Sequence, residues 1–268
     1  MYTQREIFAQ LEAMRAPRDS VIIMHSSLRS VGDVEGGAKG LLDVLVEYFT
    51  AEGGLFCVPV HTWHNFGKSD RYTLDVTSSE NSLGAFSTVS AADPRAIRSE
   101  NPTHSLAVFG DLARAEKFIA DDATVKTATA PASCYGKLFE MGGSVLLVGV
   151  SHAQNTYLHC VAELLGLPNR MADQSVEVTV KRATGEIVSR SLTGYHCDFT
   201  SDISARFPKY ETAFRYHGGI TDGFIGRAPT QLCDARIMKE TVALIWKNAN
   251  GVDPLINERT IPPKWYCN

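Results

Sequence analysis

His159 and Glu163 stand four residues apart in the stretch Tyr157-Leu158-His159-Cys160-Val161-Ala162-Glu163. On a helix this spacing puts both side chains on one face, where the carboxylate can orient the imidazole or stabilise its charged form. Such a pair can take and return a proton near neutral pH. A half-buried histidine in an amphipathic helix satisfies the same spacing. The nearly continuous apolar run at 144–150 reads as a strand buried on both faces. Asn155 or Thr156 can cap the helix that follows, and Gly166 and Pro168 stop it. Strand, tight turn and helix would place the pair at a sheet edge.

Three further clusters sit at strand ends. The apolar strand 20–25 runs into Ser26, Ser27, Leu28, Arg29, Ser30, Val31 and Gly32, then Gly36-Gly37 and a helix at 38–49. A hydroxyl- and glycine-rich loop between strand and helix can present backbone N–H groups to an anion. It has neither the P-loop signature nor GxGxxG, so a plain connection explains it equally well. After the strand 55–60 comes His61-Thr62-Trp63-His64. Two histidines three apart could ligate a metal, but no third ligand lies nearby in sequence, and no metal is assigned. Residues 61–82 continue as a long polar loop with Asp70, Asp75 and Glu80, read as a substrate wall or a mobile flap. Arg98, Ser99, Thr103, His104 and Ser105 precede a strand at 105–110 around the turn Asn101-Pro102.

The elements that must hold these groups alternate. Helices are expected near 4–16, 38–49, 83–92, 111–122, 134–139, 157–165, 201–217 and 231–248, with strands between most of them and a last strand at 221–228. Period-two alternation at 175–181 and its return at 187–192 around Thr184-Gly185 predict an antiparallel hairpin over about 175–193. The pattern implies one α/β domain over 1–268: three layers, α/β/α, around a mixed central sheet, plus that hairpin in the C-terminal half. At 268 residues with a net charge of −4 and no basic block, nothing points to nucleic acid or an anionic membrane. No apolar run reaches the ~20 residues that span a bilayer. The first residues lack a signal-peptide pattern, and six scattered cysteines form no CxxC pair, so reduced thiols and a cytoplasmic location are expected.

Four motifs in order carry a resemblance over about 20–248. They are His25-Ser26-Ser27-Leu28-Arg29-Ser30-Val31-Gly32, then Arg98-Ser99-Glu100-Asn101-Pro102-Thr103-His104-Ser105, then Leu146-Leu147-Val148-Gly149-Val150 with Asn155-Thr156-Tyr157-Leu158-His159 and Glu163, and finally Gly223-Phe224-Ile225-Gly226-Arg227-Ala228. Together they resemble the aminoglycoside 3-N-acetyltransferase family. One departure is Ser133-Cys134-Tyr135 before Gly136-Lys137-Leu138, where many members have Ser-Pro.

The resemblance implies acetyl-coenzyme A as cofactor and a small-molecule amine, an aminoglycoside or similar, as acceptor. Direct attack in a ternary complex is implied, without an acyl-enzyme. It implies His159 as general base, Glu163 behind it and Thr156 as donor to the thioester oxygen. Ser26, Ser27, Leu28, Arg29, Ser30, Val31 and Gly32 would hold the pantetheine and pyrophosphate, with Arg98, Ser99, Thr103, His104 and Ser105 in the same wall. His61, Trp63, Asp70 and Asp198 are the candidate acceptor contacts. A polycationic acceptor calls for clustered carboxylates, and Asp70, Asp75, Glu80, Asp198, Asp202 and Glu211 are available. His196-Cys197-Asp198 could bind substrate or support the hairpin. Two other classes share these residues: a metal-dependent hydrolase using His61, His64, His104, His152 or His159, and a non-catalytic coenzyme A-binding module. The oligomeric state stays open.

Overall fold

The structure, a computed structural model, describes residues 1–195 and 202–267. Its strands are β1 (Val21–Ser26), β2 (Leu55–Pro59), β3 (Leu74–Asp75), β4 (Ile97–Arg98) and β5 (Leu106–Phe109) in the first half. They continue as β6 (Ser144–Val148), β7 (Met171–Lys181), β8 (Ile187–Tyr195), β9 (Ile220–Ile225) and β10 (Ala228–Asp234). The helices are α1 (Gln4–Ala13), α2 (Leu28–Val31), α3 (Gly37–Thr50), α4 (Ala85–Ala92) and α5 (Leu112–Ile119). After them come α6 (Cys134–Glu140), α7 (Tyr157–Leu164), α8 (Glu211–Tyr216) and α9 (Ala235–Ala249).

Seven strands form the main sheet in the order β4-β5-β2-β1-β6-β10-β9. β1 lies between β2 and β6 and runs parallel to both, while β5 and β10 flank this trio antiparallel. The sheet is mixed. Alternate residues of each inner strand serve opposite cores, because strand side chains have a period of two. Val21 and Ile23 of β1, Val145 and Leu147 of β6 and Leu55 of β2 join Leu138 of α6, Val161 of α7 and Val242 of α9. Ile22 and Met24, Leu146 and Val148, and Phe56 join Ile7 of α1 and Leu41 and Leu45 of α3 on the other face. Both faces are covered, which is why the inner strands read as continuous apolar runs.

Local signals set several ends. Thr3 and Glu6 form a reciprocal capping box at the start of α1, with bonds of 3.2 and 2.8 Å. Asp234 accepts the Ile237 N–H at 2.8 Å and starts α9.

The expected hairpin is present as β7 and β8, extended to Met171 and Tyr195. β3 pairs parallel with β7 and makes it a three-stranded sheet. The loop 61–82 therefore contains a strand, and it is tied to the hairpin by Asp75 and Lys181 at 2.9 Å. A second difference lies at the C-terminal end. The residues expected to open the last helix at 231 belong to β10, which starts with Ala228-Pro229 and carries Gln231 among its few apolar residues. A short strand containing a proline gives little periodicity, so tertiary pairing with β6 and β9 decides it. The helix expected over 201–217 divides into a 3₁₀ segment, Ile203–Tyr210, with Pro208 inside it, followed by α8. Among the described residues no helix is long and apolar enough to cross a membrane.

Candidate active site

A cavity of about 670 Å³ opens at the carboxyl ends of β1, β2 and β6, where an open α/β sheet offers its crevice. Each parallel strand delivers a loop to it. β1 contributes His25 and Ser26, then Ser27, Leu28 and Arg29; beyond β2 come His61 and Trp63; beyond β6 come Asn155 and Thr156. His159 on α7, Tyr195 at the end of β8, and Asp202 complete the wall.

The loop after β1 is held against the end of β6. The Ser27 N–H donates to the Val148 carbonyl at 2.9 Å, and the Ser30 hydroxyl lies 2.9 Å from Ser27 Oγ and 3.3 Å from the Gly149 carbonyl. Gly149 has φ +63°, and a Cβ there would meet the Ser30 Cβ at 2.3 Å. Only glycine permits that approach. Arg227 lies against Gly32, so Arg29 and Arg227 flank the loop with two cations.

Aromatic rings line one side in a row. His25 and His61 have centroids 6.5 Å apart, His61 and His104 4.4 Å, His104 and Tyr195 5.6 Å, and Tyr195 and His159 4.1 Å. Phe207 meets the His159 ring edge-on at 4.9 Å. His61 Nε2 is 2.8 Å from the Tyr135 hydroxyl. Burial pushes these imidazoles well down: His25 to about 4, His104 to about 3, His159 to about 4 and His61 lower than its ordinary range. At His159 burial dominates, Asp202 opposes it and Arg170 adds to it. All four are neutral at pH 7.

Glu163 lies elsewhere than the four-residue spacing predicts. Its carboxylate accepts the hydroxyls of Thr127 and Thr129, the latter at 2.6 Å, and forms no hydrogen bond with His159 among the described residues. Thr129 Oγ1 is 2.9 Å from the Tyr195 hydroxyl, and the Tyr195 ring lies on His159. The carboxylate thus reaches the imidazole through Thr129 and Tyr195. Sharing a helix face was not enough, because burial drew Glu163 to two hydroxyl donors and raised its pKa. Thr156 is the N-cap residue of α7 and lines the cavity without a side-chain capping bond.

The expected cofactor wall divides. Ser26, Ser27, Leu28, Arg29 and His104 line the cavity. Val31 is fully buried in the core, and Ser30 and Gly32 shape the loop from behind. Arg98, Ser99, Thr103 and Ser105 do not line the cavity; they are a buried brace. Arg98 donates to Ser105 Oγ, the Ser78 carbonyl and the Val60 carbonyl, each at 2.9 Å. Ser99 Oγ accepts the Leu106 N–H at 3.0 Å. Thr103 Oγ1 contacts His104 Nδ1 at 2.9 Å. These polar groups at a strand start join the sheet to the loop 61–82.

Of the acceptor candidates, His61 and Trp63 line the cavity. Asp70 sits in a separate crevice, 3.7 Å from Arg71. Asp198, with His196 and Cys197, lies outside the described residues. Of the histidines weighed as metal ligands, His152 is fully buried beside Asn155 and His64 bonds Ser82 and Glu80. Among the described residues no group of three histidine, cysteine or carboxylate side chains is arranged to hold a metal. Sequence reasoning did not select His25, Thr129, Tyr195 or Arg227 as site residues. His25 closes its strand immediately before Ser26, a usable signal; Thr129 and Tyr195 carry none, since only tertiary packing brings them to His159.

This is an open α/β fold with its site at the carboxyl edge of three parallel strands. The chain belongs to the aminoglycoside 3-N-acetyltransferase family, whose profile matches residues 23–245. It is 32% identical over 164 residues to aminoglycoside N(3)-acetyltransferase IV of Salmonella sp, a match spanning 61% of this chain and 59% of that relative. Its fold resembles the aminoglycoside acetyltransferase AAC(3)-IVa, solved as a histidine-to-alanine variant with a gentamicin. That likeness has a TM-score of 0.77 at 25% identity and covers 100% of this chain and 94% of the other. It also resembles AAC-IIIb, solved as a binary complex with CoASH, with a TM-score of 0.78 at 22% identity, over 94% of this chain and 99% of that one.

Proposed function

We propose that this chain transfers the acetyl group of acetyl-coenzyme A to an amino group of an aminoglycoside or similar amine by direct attack in a ternary complex, with His159 as general base. The observation that carries this is that one cavity holds both the neutral His159 imidazole and the Ser26–Arg29 side of the loop after β1. Family membership and the CoASH complex of AAC-IIIb support the cofactor; the gentamicin complex of AAC(3)-IVa supports an amine acceptor.

The residues present suit acetyl-coenzyme A. Arg29 would meet its phosphates, and Ser27 and the adjoining backbone would meet the pantetheine amides. Bound there, it supplies a thioester carbonyl for an amine to attack. His159 takes the proton that the amine nitrogen loses as its bond to carbon forms, then returns it to the departing sulfur. Being neutral at pH 7, it is ready to accept without prior deprotonation. Asp202 favours the imidazolium once formed. Thr156, the N-cap residue of α7, lines the cavity, and its hydroxyl would donate to the oxygen on which negative charge grows.

The test is thiol release from acetyl-coenzyme A with a panel of amines, with product mass as second readout. Amine-dependent thiol with a matching acetylated amine is expected. Coenzyme A binding without thiol release across the panel would leave the binding-module reading in its place.

A further inference from the structure

His61 is held through both its backbone and its ring. Its carbonyl accepts the Ser82 N–H at 2.7 Å, and the flanking Val60 and Thr62 N–H groups donate to the Ser105 and Thr103 carbonyls at 2.8 and 2.9 Å. The ring Nε2 lies 2.8 Å from the hydroxyl of Tyr135, a fully buried side chain. Among the described residues that hydroxyl has no other hydrogen-bond partner. A buried O–H without an acceptor is costly, so Tyr135 donates and Nε2 accepts. The one ring proton of the neutral imidazole then sits on Nδ1. Nδ1 has no protein partner among the described residues, yet it is not sealed in the interior. His61 lines the cavity, and Nδ1 is the polar ring atom open to it.

The place of His61 in the sheet decides what that N–H meets. The strand order here is β2-β1-β6, and the loop carrying Ser26 to Arg29 leans on the end of β6 through Ser27 and Ser30. A cofactor held by that loop occupies the β1 and β6 side, which leaves the β2 side, with His61 and Trp63, to the acceptor. The imidazole stays uncharged there: burial, then His104, His25 and Arg98, push its pKa well below the ordinary histidine value. A lysine or arginine in this position would repel an amine-bearing molecule. An uncharged imidazole donates a hydrogen bond without that repulsion.

From this geometry we infer that the His61 Nδ1–H, oriented by Tyr135, is a hydrogen-bond donor to an oxygen of the acceptor, a hydroxyl or an ether. His61 is then a binding residue and Tyr135 a positioning residue. The inference rests on the acetyl-transfer reading for what occupies the β2 side; the ring tautomer stands apart from it.

NMR of protein carrying isotope-labelled histidine reads the tautomer, the His61 signals being those that His61→Phe or His61→Gln removes. The Nδ1–H form is expected, and Tyr135→Phe should turn it into a mixture of both forms. An Nε2–H form in the parent protein, or an unmixed Nδ1–H form in Tyr135→Phe, overturns the inference. Calorimetric titration of the coenzyme A-loaded protein reads the recognition, with gentamicin as an oxygen-bearing polyamine and spermine as an oxygen-free one. His61→Phe should weaken gentamicin ~10-fold, roughly the value of one hydrogen bond left unmade, and leave spermine within ~2-fold. Equal losses of both, no loss of gentamicin, or no gentamicin binding by the parent protein overturns it. If His61→Phe fails to fold, Tyr135→Phe takes its place, with a gentamicin-specific loss of ~3-fold expected. Thiol release from acetyl-coenzyme A is read on the same samples. A His61-dependent gentamicin affinity without thiol release would fail the acetyl-transfer reading while leaving the donor assignment in place.

Discussion

The rings of His159 and Tyr195 lie face to face, centroids 4.1 Å apart and planes within 15°. Tyr195 in turn reaches Glu163 through Thr129, by contacts of 2.9 and 2.6 Å. With Glu163 ionised, the one Thr129 hydroxyl proton goes to the carboxylate, so the Tyr195 hydroxyl donates to Thr129. The imidazole is thereby held by a ring whose position depends on a carboxylate that never touches it.

Glu163→Gln and Tyr195→Phe test that arrangement. Each should lower kcat ~10-fold while KM for acetyl-coenzyme A stays near its original value, because geometry at the base suffers and binding does not. Tyr195→Phe keeps the stack and should retain more activity than Tyr195→Ala. Steady-state kinetics on the three variants check this; equal losses of kcat in Tyr195→Phe and Tyr195→Ala would assign the whole effect to the hydroxyl.

Buried neutral imidazoles make the fold sensitive to acid. His25 and His152 are held near 4 in the fold by burial, below the ordinary histidine value of about 6.5. The unfolded chain therefore binds protons that the folded chain refuses. Stability is full above pH 6.5, falls as pH drops toward 4, and for these two groups levels off below it. Each costs about 1.4 kcal/mol per pH unit within that window. His61, His104 and His159 act in the same direction, whereas the raised carboxyls Asp122 and Glu163 act in the opposite one. Denaturant midpoints measured from pH 8 to 4 should decline steeply below pH 6.5; a flat profile there would contradict burial of neutral histidines.

Gly149→Ala should disturb cofactor binding before chemistry. A Cβ at that position would overlap the Ser30 Cβ at 2.3 Å, on a backbone with φ +63° that L side chains rarely adopt. Pushing the loop 26–32 off the end of β6 should cost about 1–3 kcal/mol of stability and weaken coenzyme A binding. Thermal unfolding and calorimetry with coenzyme A read the two effects separately.

Arg98→Ala would remove three hydrogen bonds and leave the carbonyl of Ser78 without its guanidinium partner. A stability loss of about 2–4 kcal/mol is expected, with the loop 61–82 becoming the first site of proteolytic cleavage. Limited proteolysis of variant and parent shows whether the brace holds that loop.

Much of the architecture was legible in the sequence. The runs at 20–25, 55–60 and 144–150 name the three parallel strands, because burial on both faces leaves few polar residues. The hairpin showed its alternation around Thr184-Gly185. β10 did not, since Pro229 and Gln231 break any pattern and its partners are distant in sequence. At the site, Ser26 to Arg29, Thr156 and His159 announced themselves at strand and helix ends. The roles of Arg98 and Glu163 did not. Which way a long or charged side chain turns depends on acceptors such as Val60, or donors such as Thr129, supplied from other elements.

His159→Ala, assayed for amine-dependent thiol release beside calorimetric binding of coenzyme A, tests the central claim most directly. Loss of the base should lower kcat by ~100-fold or more with coenzyme A affinity unchanged. Turnover within ~3-fold of the parent protein, at equal cofactor affinity, would contradict His159 as the group that takes the amine proton.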